Sequence, residues 1–253
     1  MARYQITLAY DGTSFLGSQR QASSRTAQSE LEKALGKLGW HGQTVLLAGR
    51  TDAGTHASGQ VAVFDLDWGY SLEKLRDALN AHLPRDMAVR EVKAAADGFH
   101  PRFDATTRRY CYRLFCARVR DPLRERYAWR VWPAVTDLRP LANIWLGKHD
   151  FAAFGTPPRS GESTIRTVVS ARWLQQADEW TFEIQADAFL YRMVRRLVYV
   201  QVVVGQARLS AKMLASALDN RSDNWNDVRI QIPAGLAPAH GLTLIEVCYD
   251  NLV

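Results

Sequence analysis

The sequence is poor in cysteine, in lysine and in long apolar runs, and each shortage excludes something. Cys111, Cys116 and Cys248 are the only cysteines. They form no C-x-x-C pair and have no histidine at zinc-ligand spacing, so neither a disulfide framework nor a structural zinc site is expected. Reduced thiols suit a cytoplasmic setting. The histidines at 41, 56, 82, 100, 149 and 240 are scattered, with no H-E-x-x-H, so no metal is expected. No apolar stretch approaches the ~20 residues that cross a bilayer. The longest candidate, Leu190 to Val204, is interrupted by Arg192, Arg195 and Arg196. Met1 to Gly12 holds no long apolar region and no small-residue cleavage site, so neither export nor a membrane span is expected. G-x-G-x-x-G and Walker A patterns are absent, and no nucleotide cofactor is implied. Ser71-x-x-Lys74 and Ser222-Asp223-Asn224 match two pieces of a penicillin-binding signature, but the third, K-T-G, is missing. Ser71 is better read as a helix cap.

Arginine is abundant instead. Of the 32 basic residues only six are lysine, against 26 acids, for a formal charge of +6. The excess is concentrated. His100 to Arg130 carries nine arginines and three acids, and Arg192 to Arg208 adds four arginines and no acid. The rest of the chain is slightly acidic. A guanidinium grips phosphate oxygens with a planar fork and stacks on bases, which a lysine ammonium does not. Two basic stretches on an acidic body point to a polyanion partner; a solvated, arginine-rich surface is the plain alternative.

The hydrophobic periods give an order of elements. Arg3 to Tyr10 alternates and reads as a strand closed by Asp11-Gly12. Thr26 caps a helix with Ala27, Leu31, Ala34, Leu35 and Leu38 on one stripe. Thr44 to Ala48 and Gln60 to Asp67 read as strands, Ser71 starts a helix on Leu72, Leu75, Leu79 and Leu83, and Met87 to Val92 is a strand. This is the split-βαβ order, β-α-β-β-α-β. The second half is expected to repeat it. Arg108 to Phe115 is a strand, Thr136 caps a helix on Leu138, Leu141, Ala142 and Trp145, and Ser170 to Leu174 is a strand. Trp180, Phe182, Ile184 and Ala186 then alternate. Ala188 to Gly205 reads as a long helix, Ser210 to Leu218 as another, and Leu242 to Tyr249 as the last strand. The expected class is α+β: two ferredoxin-like halves, a largely antiparallel sheet and helices on one face. Residues 1–100 are expected to form one domain and 101–253 the other, and Pro157 to Gly161 a loop.

Gly49-Arg-Thr-Asp-Ala-Gly-Thr-His-Ala-Ser-Gly59 stands out. Its glycines at five-residue steps permit close backbone approach, and Arg50, Asp52 and His56 lie between them. On turn chemistry alone Asp52, ahead of Ala53-Gly54, reads as a turn residue rather than a catalyst. Other motifs change that balance. Tyr10-Asp-Gly-Thr13, Gln19-Arg-Gln21, Asn80 with Leu83-Pro84, and Phe99-His-x-Arg-Phe103 flank the loop. Arg108-x-Tyr110-x-Tyr112, Gly147-x-His-Asp-Phe151, Met193-Val-Arg195 and Ala237-Pro-Ala-His-Gly-Leu242 follow in order. With Gly49 to Ala57 (G-R-T-D-A-G-x-H-A) at their centre, they give a chain that resembles the tRNA pseudouridine synthase A family over nearly its whole length.

The resemblance implies conversion of uridine to pseudouridine at positions 38, 39 and 40 in the anticodon stem-loop of tRNA. It implies a homodimer and neither cofactor nor metal. By the same resemblance Asp52 is the essential carboxylate, acting at C1′, at C6 or through a C2′ proton. Arg195 pairs with it and holds it in the charged form. Tyr110 stacks on the target base, and Arg50 enters the helix as the base leaves, easing an extrusion that costs a few kcal/mol. Arg102, Arg108 and Arg109 join Tyr110 in gripping RNA, and the arginines after Tyr110 are expected to hold phosphates beside the flipped nucleotide. The chain departs from the family pattern at Ser18 (tryptophan in the family), Thr55 (valine), Asp104 (serine), Arg196 (asparagine) and Tyr199 (glycine). A non-catalytic RNA-binding module also fits two split-βαβ halves, but no RNP1-like run is present. A purely structural α+β protein leaves the arginine clustering unexplained.

Overall fold

The computed structural model of the chain describes residues 1–157, 161–218 and 232–250. The Ser222-Asp223-Asn224 match and the centre of the Pro157–Gly161 loop therefore lie outside the described residues. Contacts divide the chain into two units, Met1–Arg108 with Thr243–Val253, and Arg109–Leu242.

The first unit opens with β1 (Ala2–Tyr10), whose alternation places Tyr4, Ile6, Leu8 and Tyr10 on the buried face. A 3-10 turn at Gly12–Ser14 leads to α1 (Ala27–Lys37). Thr26 caps α1 in a reciprocal box with Ser29, and Leu31, Ala34 and Leu35 are buried on one stripe. Next come β2 (Leu46–Leu47), β3 (His56–Leu66), α2 (Leu72–His82) and β4 (Met87–Ala94). Ser71 caps α2 as expected, accepting the Lys74 N–H. Beyond the short β2, the β-α-β-β-α-β order holds. β1 lies between β4 and β3, antiparallel to both, and β2 pairs antiparallel with β3 at Leu46–Val63.

Two boundaries moved. The strand expected over Thr44–Ala48 shrinks to Leu46–Leu47, and β3 starts at His56 rather than Gln60. Gly59 reads as a loop residue in sequence, but it sits inside β3 against a strand it touches backbone to backbone. That strand carries Ile245, and a Cβ at Gly59 would lie 2.3 Å from the Ile245 carbonyl oxygen.

The second unit contains most of β5 (Ala105–Cys116), then β6 (Trp129–Val131), α3 (Arg139–Ala142), β7 (Gly147–Asp150), β8 (Ile165–Gln176), β9 (Glu179–Ala186), α4 (Met193–Gly205) and α5 (Ala211–Leu218). Its strands run in the order β5-β9-β8-β7, with β6 parallel to β5 and β7-β8-β9 antiparallel. β10 (Leu242–Tyr249) leaves this unit and joins β3 in parallel, pairing Thr243 with His56 and Leu244 with Ala57.

Thr136 does not cap a helix. Its N–H and hydroxyl both donate to the Gly205 carbonyl (2.8 and 3.1 Å), closing the end of α4. The helix that follows is a single turn with Pro140 in its first positions, though Leu138, Leu141, Ala142 and Trp145 are buried as expected. The long helix expected from Ala188 starts at Met193, because Arg192 takes a left-handed conformation (φ 63°) and Tyr191 bridges to Thr156. α4 is apolar nearly all round and buried accordingly. Its one fully buried polar residue, Gln201, accepts from the Trp173 indole and donates to the Leu197 carbonyl. Among the described residues no helix is long and apolar enough to cross a membrane.

Candidate active site

The loop that carries Asp52 is held from three sides by its own unit. From β3, the buried Gln60 amide clamps Gly49: its Nε2 donates to the Gly49 carbonyl (2.8 Å), and Gly49 N–H donates to Oε1 (3.1 Å). From the segment before α1, Ser18 Oγ accepts the Thr51 N–H (2.9 Å), and Ser18 N–H donates to the Thr51 carbonyl (3.1 Å). From β1, the Tyr10 hydroxyl lies 2.8 Å from Thr51 Oγ1. Burial raises the Tyr10 phenol, so it stays a neutral hydrogen-bonding group at physiological pH. Thr51 is thus fixed at its donor, its acceptor and its side chain, which fixes the backbone that presents the half-buried Asp52.

Beyond Asp52 the loop is equally constrained. Thr55 N–H returns to the Asp52 carbonyl (3.1 Å), and Gly54, at φ +78°, donates to the Phe15 carbonyl (3.2 Å). Gly12 passes so close that a Cβ there would sit 2.0 Å from the Thr55 oxygen. Its N–H donates to His56 Nδ1 (3.0 Å), so this arrangement goes with the proton on Nε2. The Asp11 carboxylate is 3.2 Å from the same nitrogen and gains an ion pair only when the ring is protonated. Of these supports the sequence marked His56 and the glycines. Tyr10, Ser18 and Gln60 were missed as supports; a glutamine inside an otherwise apolar strand was the available signal.

Arg25 braces the same corner. Its guanidinium lies over the Phe15 ring (4.3 Å) and binds both oxygens of Asp86 at 2.8 Å. The hydrogen bonds from Arg25 hold the Asp86 carboxyl below its ordinary value. A lowered folded-state value stabilises the fold above the ordinary carboxylate range, and that contribution is lost as pH falls through the lowered value. Asp86→Asn is therefore expected to lower Tm at neutral pH, and the gap from wild type to close as pH falls through the lowered value. A gap that widens with acid would contradict this sign.

In the second unit β5 places Tyr110, Tyr112 and Leu114 on one buried face, as the period predicts. Tyr110 meets the Phe189 ring edge-on at 5.1 Å. Tyr112 is fully buried, its hydroxyl donates to the Pro238 carbonyl (2.8 Å), and burial raises its phenol. Arg195 lies in the first turn of α4, half-buried, and its Nε donates to the Ala237 carbonyl (2.8 Å). Arg50, Asp52, Arg102 and Arg108 thus belong to the first unit, and Arg109, Tyr110 and Arg195 to the second. Arg108 donates to the carbonyls of Arg102 and Ala105, tying down the turn before β5. Arg50 is exposed and Arg102 half-buried, and neither side chain has a hydrogen bond or ion pair among the described residues.

The first basic stretch is less available than its charge suggested. Arg113 pairs with Glu179 (2.7 Å), Arg124 with Asp178 (2.8 Å), and Arg120 and Arg130 with Glu125 (2.8 and 3.0 Å). The β8–β9 turn and the first residue of β9 supply two of those acids from more than fifty residues away, where a count along the chain does not register them. Among the described residues no cluster of histidine, cysteine or carboxylate could hold a metal ion.

The model of the tRNA pseudouridine synthase family matches residues 6–104 and 141–250. A tRNA pseudouridine synthase A of Chloroflexus aurantiacus is 40% identical over 98% of this chain and 89% of its own. One from Methylacidiphilum infernorum is 40% identical over 97% and 95%, and one from Bacillus subtilis 36% over 98% and 100%. A solved Cbf5-Nop10-Gar1 complex covers 79% of this chain and 44% of its own at 12% identity, with a TM-score of 0.34, too low to argue from. The chain belongs to the tRNA pseudouridine synthase family. It is an isomerase of uridine in tRNA.

Proposed function

We propose that the chain isomerises uridines 38, 39 and 40 of the tRNA anticodon stem-loop, with Asp52 as the essential carboxylate and without cofactor or metal. The supporting observation is the fastening of Thr51 by Tyr10 and Ser18, which presents the next side chain on a fixed backbone. A group that attacks a sugar or base carbon needs such placement, since misplacement by about 1 Å costs ~100-fold in rate. In the overall change the N1–C1′ bond breaks and a C5–C1′ bond forms. The C5 proton leaves and N1 gains one, so nothing is oxidised or reduced.

Stem uridines are paired and stacked, and the target must leave the helix to be reached. Arg50, exposed one residue before the fastened Thr51, suits the wedge that takes its place. Tyr110 is the stacking platform and Arg195 the partner that keeps Asp52 charged. Arg102 and Arg109 grip backbone phosphates, and Arg108 shapes the turn beside them while adding its charge. The working form is a homodimer in the cytoplasm. Tritium release from tRNA labelled as [5-³H]uridine tests this reading, with positions mapped by sequencing tRNA from a deletion strain. Release that depends on uridines 38 to 40 supports it. Tight tRNA binding with no release would identify a binding protein instead.

A further inference from the structure

The segment from Ile232 to Pro238 is irregular, and its carbonyls need partners that no helix or sheet ladder supplies. α4 supplies them with two consecutive arginines. Arg196 donates to the carbonyls of Pro233 (2.6 Å), Gly235 (2.8 Å) and Ile232 (3.4 Å). Arg195 holds Ala237 twice, through Nε to its carbonyl (2.8 Å) and through its own carbonyl to the Ala237 N–H (3.3 Å). One turn along the helix, the Tyr199 ring covers Gly235 so closely that a Cβ there would lie 2.1 Å from the ring carbon Cζ. The segment then passes Tyr112, which donates to the Pro238 carbonyl and packs on Gly241.

Arg196 is an unusual choice for this position. It is half-buried, burial lowers its value, and among the described residues no acid pairs with it. An unpaired buried charge is costly, and the three carbonyl dipoles recover part of that cost. One guanidinium fork reaches three carbonyls, which the asparagine of the family pattern is too short to do. Arg196 and Tyr199 are both departures from that pattern, and both act on the same strap.

We propose that Arg196, with Tyr199 seated on Gly235, is a positioning residue for Arg195, acting through the strap Ile232–Pro238. The proposal rests on the role assigned to Arg195 above. Removing Arg196 frees three carbonyls and loosens Ala237, whose carbonyl accepts from Arg195 Nε. RNA contact is not involved, so the loss falls on the chemical step.

Single-turnover tritium release at saturating tRNA tests this with Arg196→Ala, Arg195→Lys and the double variant. Arg196→Ala is expected to slow turnover roughly 10- to 100-fold while tRNA Kd moves less than about 3-fold. The double variant should be no slower than Arg195→Lys, because both changes act on one element. Arg196→Lys, which keeps the charge but reaches fewer carbonyls, should fall between and covers the case in which alanine prevents folding. Hydrogen exchange gives an arm independent of activity: the Ala237 amide should lose protection in Arg196→Ala, while the amides of Val200 to Val203 keep theirs. Wild-type turnover in Arg196→Ala, multiplied losses in the double variant, or an unchanged Ala237 amide would each overturn the proposal. A wild-type enzyme that releases no tritium would overturn the functional reading instead, and the exchange arm would still decide whether Arg196 fastens the strap.

Discussion

Asp52→Asn is expected to reduce tritium release by roughly 10,000-fold or more while leaving the protein folded and bound to tRNA. The size follows from the chemistry. An amide of the same shape cannot attack carbon or take up a proton, so the step loses its only proposed reacting side chain. The selectivity follows from the structure. The contacts that hold the loop run to Gly49, Thr51, Gly54 and the Asp52 backbone carbonyl, and the exchange leaves these in place. Asparagine keeps the shape of the side chain and these backbone contacts, so the variant is expected to fold and to melt cooperatively. Single-turnover release, filter binding and thermal melting make the comparison. Release within tenfold of wild type would remove Asp52 from the reaction.

The second large effect is expected from Gly12→Ala. The added Cβ would lie 2.0 Å from the Thr55 carbonyl oxygen and 2.4 Å from its carbon, and both are backbone atoms that no rotamer change can move. Relief requires the 3-10 turn and the loop to separate. Gly12 N–H would then leave His56, and Thr55 would be displaced from the Asp52 carbonyl it holds. A cost of about 1–3 kcal/mol in urea unfolding is expected, as for overpacking in a core, with turnover of the folded fraction down ~100-fold. Gly36→Ala is the matched control. Nothing lies within 4 Å of a Cβ there, and in the last turn of α1 the change should be neutral or stabilise by up to about 1 kcal/mol. Equal behaviour of the two variants would mean that the approach of Gly12 to Thr55 has no bearing on the site.

Elements with a strong period were legible in the sequence. β1, α1, α2 and β9 lie where alternation or three-and-four spacing put them, and Thr26 and Ser71 cap the two helices as expected. Errors arose where tertiary contact overrides local preference. Thr136 has the chemistry of a cap but serves the end of α4, 69 positions away. Arg192 delays the start of the helix read from Ala188 by adopting a left-handed conformation that no neighbouring glycine signals. β6 and β7 are three and four residues long, too short for a period to register. Among the candidate site residues, Asp52, Tyr110 and Arg195 came from family motifs rather than physics, since turn statistics alone favoured a structural aspartate. Ser18, a departure from the family pattern, hydrogen-bonds the residue before Asp52.

Thr243 and Leu244 pair with His56 and Ala57, the end of the signature loop, and Ile245 closes on Gly59. During synthesis about 180 residues must follow this loop before its neighbouring strand exists, and ribosomes add roughly 5–20 residues per second. For that interval, on the order of ten seconds, the start of β3 presents an unpaired edge of the kind that other strands can join. The Asp52 loop therefore reaches its final surroundings late in the folding of the nascent chain. A transcript broken just before the codon for Leu242 yields a product in which the strand that pairs with His56 and Ala57 is never made.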